Sequence, residues 1–272
     1  MKKLIKNIRK INLDDDSEHI IVEYNYKKIK NKLKDKMKEE EALAIEKDKE
    51  EGKKYLPEVQ HRLRGRMVMI PEAIYRCSGI KVLGKRIKSL LFTTDAAVIC
   101  NSNANAVMAV YPFTPQLSIT QAILDASSVP VFVGVGGGLT SGVRTEHIAL
   151  QAELLGAFGV VVNSPISDEM IEKLSSVLDV PVVATVVSEK DDYVGKIKAG
   201  AGILNVSGGA NTADLVRTIR KEIGDEFPII ATGGPTEESI EATIEAGANA
   251  ITYTPPSSAE IFASVMQDYR EK

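Results

Sequence analysis

Two carboxylates stand where apolar runs of the sequence stop, and they are the residues best suited to acid–base chemistry. Asp95 closes SLLFTTD (89–95), and Glu189 follows VPVVATVVS (180–188). A carboxylate beside a substrate can take up or return a proton, and two together can hold Mg²⁺ through water. Either residue is therefore a candidate general base. Each has an alternative role, since an acidic residue that follows a strand also caps the next helix.

Glycines and small hydroxyl residues end the last two apolar runs. Gly233 and Gly234 close PIIATGG (228–234), and AITYTPPSS (250–258) ends in two serines. Glycine lets the backbone approach a ligand closely, and amides at a helix start attract anions. The pattern predicts a cradle for a phosphate monoester. Its members are Gly233, Gly234, Thr254, Ser257 and Ser258. The alternative is a tight strand-to-helix turn in which Thr236 caps the helix.

Other run ends supply further candidate ligand-binding residues. These are Gly137, Arg144, Asn163, Asn205 and Ser207. Gly137 lies in GVGGGLTSG (134–142), which fits either backbone packed against a ring or second anion, or a flexible loop. Arg144 is either an anion clamp or a surface arginine. Asn163, Asn205 and Ser207 are hydrogen-bonding groups that would orient a substrate.

Several chemistries are disfavoured by residue placement. No lysine ends an apolar run, so Schiff-base aldol chemistry has no nucleophile there. His19, His61 and His147 all lie away from these ends, so a histidine-ligated metal is not expected. The two cysteines, Cys77 and Cys100, are too few for a disulfide framework or a zinc site.

A repeated pattern predicts the elements that position these residues. Apolar runs open at Pro130, Pro181 and Pro228, and helix-like stretches end at Gly156, Gly200 and Gly247, each recurring every 44–51 residues. A further apolar run begins within a few residues of each of these three glycines. The runs are apolar on both faces, as in parallel strands covered on each side. With runs at 89–95 and 106–113 they form eight strand–helix units. The predicted fold is an α/β (β/α)8 TIM barrel over residues 66–272, whose amino-terminal mouth is plugged by a hairpin at 79–89 with a turn at Gly84-Lys85. An open doubly wound sheet is the alternative.

Residues 1–65 differ in composition from the rest. Residues 26–54 are dominated by Lys and Glu, which predicts a helical extension that is either a solvated arm or an oligomerisation helix. The net charge of −3 does not indicate a nucleic-acid partner. No run approaches the roughly 20 apolar residues of a membrane span. We expect a cytoplasmic homo-oligomer without a membrane or nucleic-acid partner.

Several phrases resemble the ribulose-phosphate-binding barrel superfamily, over about residues 89–272. They are PIIATGG, EAGANAITYTP, VPVVATV and AGAGILNVSGG. GKRIKSLLFTTD, AVYPFTP and VFVGVGGGLTSG look like a group of uncharacterised bacterial barrels often labelled hydrolases. The resemblance implies a phosphate held by Gly233, Gly234 and the loop 254–258. The chain departs from the superfamily where Thr-Pro-Pro-Ser-Ser replaces a Gly-Ser pair, and where the aldolase lysine is missing.

Three functions follow from these features. The first is an isomerase, lyase or hydrolase of a small phosphorylated metabolite, with Asp95 or Glu189 as the acid–base group. The second is an FMN-binding barrel oxidoreductase, because flavin barrels are similar in the same AGA and TGG phrases. The flavin ring would then lie over the first three strands. The third is a non-catalytic sensor of a phosphorylated ligand, or an assembly protein. Mg²⁺ and FMN are the cofactors left open.

Overall fold

The computed structural model describes residues 67–271, which contain a closed parallel barrel of eight strands. The predicted helical extension at 1–65, and its proposed part in oligomerisation, lie outside the described residues. The barrel strands are β3 (Ser89–Phe92), β4 (Ala106–Ala109), β5 (Val131–Gly136), β6 (Gly159–Val162), β7 (Val182–Val186), β8 (Ile203–Val206), β9 (Ile229–Thr232) and β10 (Ala250–Tyr253). Each pairs in parallel with the next, and β10 pairs with β3 to close the barrel. The predicted (β/α)8 fold is confirmed.

The barrel is covered by helices that follow the strands in order. They are α1 (Ala96–Cys100), α2 (Leu117–Ala126), α3 (Val143–Leu154), α4 (Asp168–Val177), α5 (Tyr193–Lys198), α6 (Thr212–Ile223), α7 (Glu237–Glu245) and α8 (Ser258–Arg270). The first connection is the shortest and holds a helix of five residues. Within the described part of the chain, no helix is long and apolar enough to cross a membrane.

The prolines and glycines of the repeat occupy the positions that the sequence predicts. Pro130, Pro181 and Pro228 directly precede β5, β7 and β9, and their carbonyls accept hydrogen bonds from neighbouring strands. The missing proline N–H therefore costs the ladder nothing. The glycines that follow α3, α5 and α7 have φ of 102°, 107° and 108°. They are Gly156, Gly200 and Gly247. This left-handed conformation ends a helix at little cost only in glycine.

Strand side chains alternate between two apolar layers. One layer packs outward against the helices and includes Leu91, Val133 and Ile251. The other fills the barrel and includes Leu90, Met108 and Phe132. Burial on both faces explains why the strands are continuous apolar runs.

A hairpin precedes the barrel and packs into its interior. Strands β1 (Ile80–Val82) and β2 (Lys85–Ile87) are antiparallel, and Ile80, Val82 and Ile87 join the inner apolar cluster. The turn is Leu83–Gly84, one residue earlier than a Gly-Lys turn, because Val82 pairs with Lys85. Leu83 and Gly84 have φ of 45° and 81°. Two positive φ values are what a two-residue type I′ hairpin turn requires.

A buried arginine ties together the chain segments that enter the last two strands. Arg220, on α6, donates hydrogen bonds to the carbonyls of Gly224, Phe227 and Gly247 and to the side chain of Asn249. These acceptors precede β9 and β10, so the cluster lies at the amino-terminal end of the barrel. Residues at that end serve stability, whereas the carboxyl end carries chemistry in this fold.

Candidate functional site at the carboxyl end of the barrel

Four adjacent strands present polar side chains to the barrel interior near their carboxyl ends. Each of these strands has an apolar residue in the inner cluster; they are Val183, Ile203, Ile230 and Ala250. Since side chains alternate along a strand, the residue two positions later also points inward. These later residues are Thr185, Asn205, Thr232 and Thr252. With Ser207, which hydrogen-bonds to Thr232, these residues form what we call the polar wall.

The polar wall leaves two buried oxygens without a partner. The Asn205 Nδ2 donates to Thr185 Oγ1 at 3.3 Å, and Thr232 Oγ1 donates to Ser207 Oγ at 3.2 Å. In contrast, Asn205 Oδ1 and Thr252 Oγ1 have no hydrogen-bond partner among residues 67–271. Asn205 is 8% exposed and Thr252 4%. Both oxygens are fully buried, and an unsatisfied buried polar group costs about 1–3 kcal/mol.

The other side of the mouth contains a cavity of about 150 Å³. We call this cavity the mouth cleft. Val110 follows β4, Gly134 lies on β5, and Phe113 and Leu139 lie on the two loops that follow these strands. The lining is mixed, because polar residues stand beside these apolar ones; they are Tyr111, Thr114, Thr140 and Asn163.

Asp95 lies between the first and last barrel strands, where it binds the protein itself. Its Oδ1 accepts from the Ala97 and Val98 amides at 2.9 and 3.2 Å, which caps α1. Its Oδ2 accepts from the amide and the hydroxyl of Ser258 at the start of α8. The hydrogen bond from the Ser258 hydroxyl is the main reason why the pKa of Asp95 lies below its usual value. Asp95 is therefore ionised at neutral pH, with both oxygens hydrogen-bonded.

The amides predicted to hold a phosphate after β10 bind the chain's own carboxylates. The Ser257 amide donates to Glu260 Oε2 at 2.7 Å, and the Ser258 amide donates to Asp95. Ser257 and Glu260 form a capping box for α8, and Thr254 is exposed beside them. An anion at these amides would have to displace Glu260 or Asp95.

Gly233 and Gly234, after β9, form the tight strand-to-helix turn that the sequence offered as the alternative to a phosphate cradle. A Cβ on Gly233 would lie 2.7 Å from Ile251 and 2.8 Å from Ile240, so a side chain there has no room. The Gly233 amide donates to the Thr252 carbonyl at 3.3 Å. Gly234 has a φ of 81°, and a Cβ would lie 2.6 Å from Ser239 Oγ. Both glycines are required by the turn into α7, whatever their part in ligand binding.

Glu189 is not brought together with Asp95. Its carboxylate accepts from Thr218 Oγ1 at 3.2 Å, on the outer helix α6. It lines a different depression, outside the barrel mouth, with Asp214 and Leu215. The two predicted acid–base residues are thus separated, and they do not form a paired site.

A neighbouring carboxylate, Asp191, fixes the loops after β6 and β7. It accepts from the Val187 amide at 2.7 Å and from Ser164 Oγ at 2.8 Å. Burial opposes ionisation of Asp191, but these hydrogen bonds and the charge of Lys196 lower its pKa. Lys196, itself buried, donates to the Ser164 carbonyl at 2.8 Å. This network positions Asn163 next to the polar wall.

The glycine-rich loop after β5 does not present an open face for a flavin ring. A Cβ on Gly136 would lie 2.6 Å from the Thr140 carbonyl oxygen, and one on Gly137 would lie 2.9 Å from the Asn163 amide. The faces of both glycines are therefore filled by the chain itself. Arg144 is exposed in the first turn of α3. These residues do not fit FMN as predicted.

The Mg²⁺ that the sequence left open would have to be held through water. Among residues 67–271 there is no group of three or more His, Cys, Asp or Glu residues that could hold a metal ion. Asp95 follows β3, and both its oxygens already accept hydrogen bonds. The described side chains therefore do not fit a metal held mainly by protein.

A longer groove runs along the outside of α8. Its cavity is about 450 Å³, with apolar walls that include Met69, Ala97, Tyr253 and Phe262. No residue of α8 is buried in the described part of the chain. We call this the α8 groove, and it is separate from the polar wall.

Sequence reasoning found part of the polar wall and missed the rest. It named Asn205 and Ser207, but not Thr185, Thr232 or Thr252. The signal was present, because each missed threonine follows an apolar residue that lies two positions earlier on the same strand. Continuous apolar runs hide this alternation until the inward face is known.

Comparison with solved structures supports the fold. A phosphoenolpyruvate phosphomutase from Streptomyces platensis subsp. rosaceus matches with a TM-score of 0.51 and 12% identity, over 67% of this chain and 80% of its own. A phosphonopyruvate hydrolase in complex with oxalate and Mg²⁺ gives 0.50 and 15%, over 68% and 80%. A 2,3-dimethylmalate lyase of the PEP mutase/isocitrate lyase superfamily gives 0.53 and 14%, over 74% and 81%.

These matches show a (β/α)8 barrel and do not support the ribulose-phosphate-binding superfamily suggested by the sequence phrases. They lend no support to FMN. No family model matches the chain, and no curated protein matches it. The three structures compared above are a mutase, a hydrolase and a lyase.

Proposed function

We propose that this protein is an enzyme that acts on a small phosphorylated or carboxylate metabolite at the carboxyl end of its barrel. The observation that carries the proposal is the pair of buried, unpartnered oxygens of Asn205 and Thr252 on the polar wall. Leaving such groups unsatisfied costs stability, and a ligand that bonds to both would recover that cost. Active sites in this fold lie at the same end of the barrel.

The polar wall offers both donors and acceptors to such a metabolite. The Thr252 hydroxyl and the second amide hydrogen of Asn205 can donate to a phosphoryl or carboxylate oxygen, and Asn205 Oδ1 can accept from a substrate hydroxyl. Thr232 and Thr252 end β9 and β10. The anionic group would therefore lie near the predicted seventh and eighth strands, held by side chains of the wall more than by the amides of Ser257 and Ser258.

The reaction we propose is of the mutase, lyase or hydrolase type. The support is the chemistry of the similar barrels, whose printed names include a phosphomutase, a hydrolase of phosphonopyruvate and a lyase of dimethylmalate. Of the two predicted acid–base residues, Asp95 is the better placed, because it follows β3 where that strand meets β10. Glu189 lies over α6 instead.

Turnover of defined acids tests the proposal. The wild-type protein would be incubated with a panel of phosphonates, phosphate monoesters and 2-hydroxy acids, with and without Mg²⁺, and followed by ³¹P and ¹H NMR. We expect conversion of at least one acid, and loss of that conversion in Asn205→Leu. The matched control is Asn211→Leu, since Asn211 is exposed at the start of α6. Equal turnover in Asn205→Leu and wild type would contradict the proposed site.

A ligand sensor without turnover is the second candidate. It is favoured by one observation, that both Asp95 and Glu189 are hydrogen-bonded to the protein itself. Tight binding of an acid by the wild-type protein, abolished in Asn205→Leu and accompanied by no conversion under any condition, would select the sensor over the enzyme.

A further inference from the structure

We propose that the mouth cleft is a specificity subsite, in which Val110, Phe113 and Leu139 bind a branched alkyl or aryl substituent of the same small acid that the polar wall holds. This inference rests on the proposed function, because it concerns the other end of that ligand. It narrows the substrate class from any small acid to one with an apolar side group.

Two large apolar side chains stand in solvent on either side of the cleft. Phe113 is 75% exposed, and Leu139 is fully exposed. A single exposed leucine has no special meaning, but two such residues that flank one cavity at a barrel mouth are informative. They follow β4 and β5, which are neighbours in the sheet.

Internal hydrogen bonds brace the loops that carry these residues. The Gly137 amide donates to the Thr140 carbonyl at 2.9 Å, and Thr145 Oγ1 donates to the same carbonyl at 3.0 Å. These bonds leave Leu139 at the tip of a closed turn. On the other loop, the Gln116 amide donates to Tyr111 Oη at 2.8 Å, which spans Phe113. The backbone of both turns is thus ordered before a ligand arrives, which lowers the entropy cost of binding.

The cleft has a size suited to a compact apolar group. A cavity of about 150 Å³ can accommodate a molecule of the size of benzene, and the cleft has a volume of about 150 Å³. A Cβ on Gly134 would lie 3.3 Å from the Val110 side chain, so the absence of a side chain at Gly134 leaves room for Val110.

The cleft adjoins the polar wall in the order of the strands. Val162 of β6 pairs with Ala184 of β7, so the next residues, Asn163 and Thr185, are neighbours across the two strands. Asn163 lines the cleft, and Thr185 accepts a hydrogen bond from Asn205. A ligand with its acid group on the wall would carry a substituent past Asn163 into the cleft.

Matched pairs of acids test the subsite by isothermal titration calorimetry. One pair is 2-hydroxypropanoate and 2-hydroxy-4-methylpentanoate, and the other is methylphosphonate and 2-methylpropylphosphonate. Within each pair the acid group is constant and the longer member adds three carbons. A buried methylene contributes about fourfold in affinity, so full burial predicts that the longer acid binds about 60-fold more tightly.

Variants of the two exposed cleft residues test whether the preference for the longer acid arises in the cleft. In Leu139→Asn and Phe113→Ser we expect the preference for the longer acid to fall at least fivefold, while the short acid binds as in wild type. The control is Leu154→Asn, because Leu154 is 68% exposed near the end of α3 and should keep the full preference.

The possible outcomes separate this inference from the proposed function. Equal affinity for short and long acids in wild type, or an undiminished preference in both cleft variants, would overturn the subsite and leave the proposed function standing. Failure of both pairs to bind at all would count against the proposed function, and the subsite would fall with it.

Discussion

Replacing Thr252 with valine should stabilise the ligand-free protein and weaken ligand binding. Thr252 is 4% exposed, and its hydroxyl has no hydrogen-bond partner within residues 67–271. Valine has nearly the same shape and removes the unsatisfied group, whose burial costs about 1–3 kcal/mol. For a chain of this size each kcal/mol corresponds to roughly 2–4 °C in Tm. Urea unfolding and thermal scans without ligand should therefore show a gain of about 1–3 kcal/mol.

Thr243 provides the matched control for this measurement. It is 2% exposed on α7, and its Oγ1 donates to the Ser239 carbonyl at 2.8 Å. Thr243→Val removes a satisfied hydrogen bond and should destabilise by about 0.5–1.5 kcal/mol. The two threonine-to-valine changes are expected to have opposite signs. If Thr252→Val destabilises as much as Thr243→Val, the Thr252 hydroxyl is already satisfied and the reasoning is refuted.

Three further predictions address Asp95, Arg220 and the cysteines. The lowered pKa of Asp95 contributes stability above about pH 4, and this stability is lost as pH falls through the pKa of the folded state. In urea unfolding, the difference in free energy of unfolding between wild type and Asp95→Asn should therefore disappear below pH 4. Arg220→Met should lower the free energy of unfolding by about 3 kcal/mol without changing acid affinity in calorimetry, since Arg220 serves the opposite end of the barrel. A thiol reagent should modify exposed Cys100 rapidly, and Cys77 only on unfolding, because burial raises the pKa of Cys77 to about 11. A reversed order of labelling, an Arg220→Met protein as stable as wild type, or a pH-independent difference between wild type and Asp95→Asn would each contradict the corresponding assignment.

The fold was readable from the sequence because its signals are local. Pro130, Pro181 and Pro228 mark strand starts, and glycines such as Gly156 and Gly200 mark helix ends, through backbone rules that act within a few residues. The hairpin turn was predicted one residue too late. The reason is that Leu83 adopts a positive φ, which is rare for leucine and is not indicated by its residue type.

The site was less readable, because it depends on contacts distant in sequence. Asp95 binds Ser258 across the closure of the barrel, 163 positions away, and this contact occupies an amide that the sequence assigned to a phosphate. Glu189 was a candidate general base, but its carboxylate accepts a hydrogen bond from Thr218 of an outer helix. Strand ends predict which residues are near the mouth. They do not predict which of those residues already have a protein partner.

The most direct measurement is a crystal structure of the protein with the acid that binds most tightly in calorimetry. The account predicts its phosphoryl or carboxylate group within hydrogen-bond distance of Asn205 and Thr252. A ligand in the α8 groove, or beside Glu189 and Asp214, with Asn205 Oδ1 and Thr252 Oγ1 still without a partner, would contradict it.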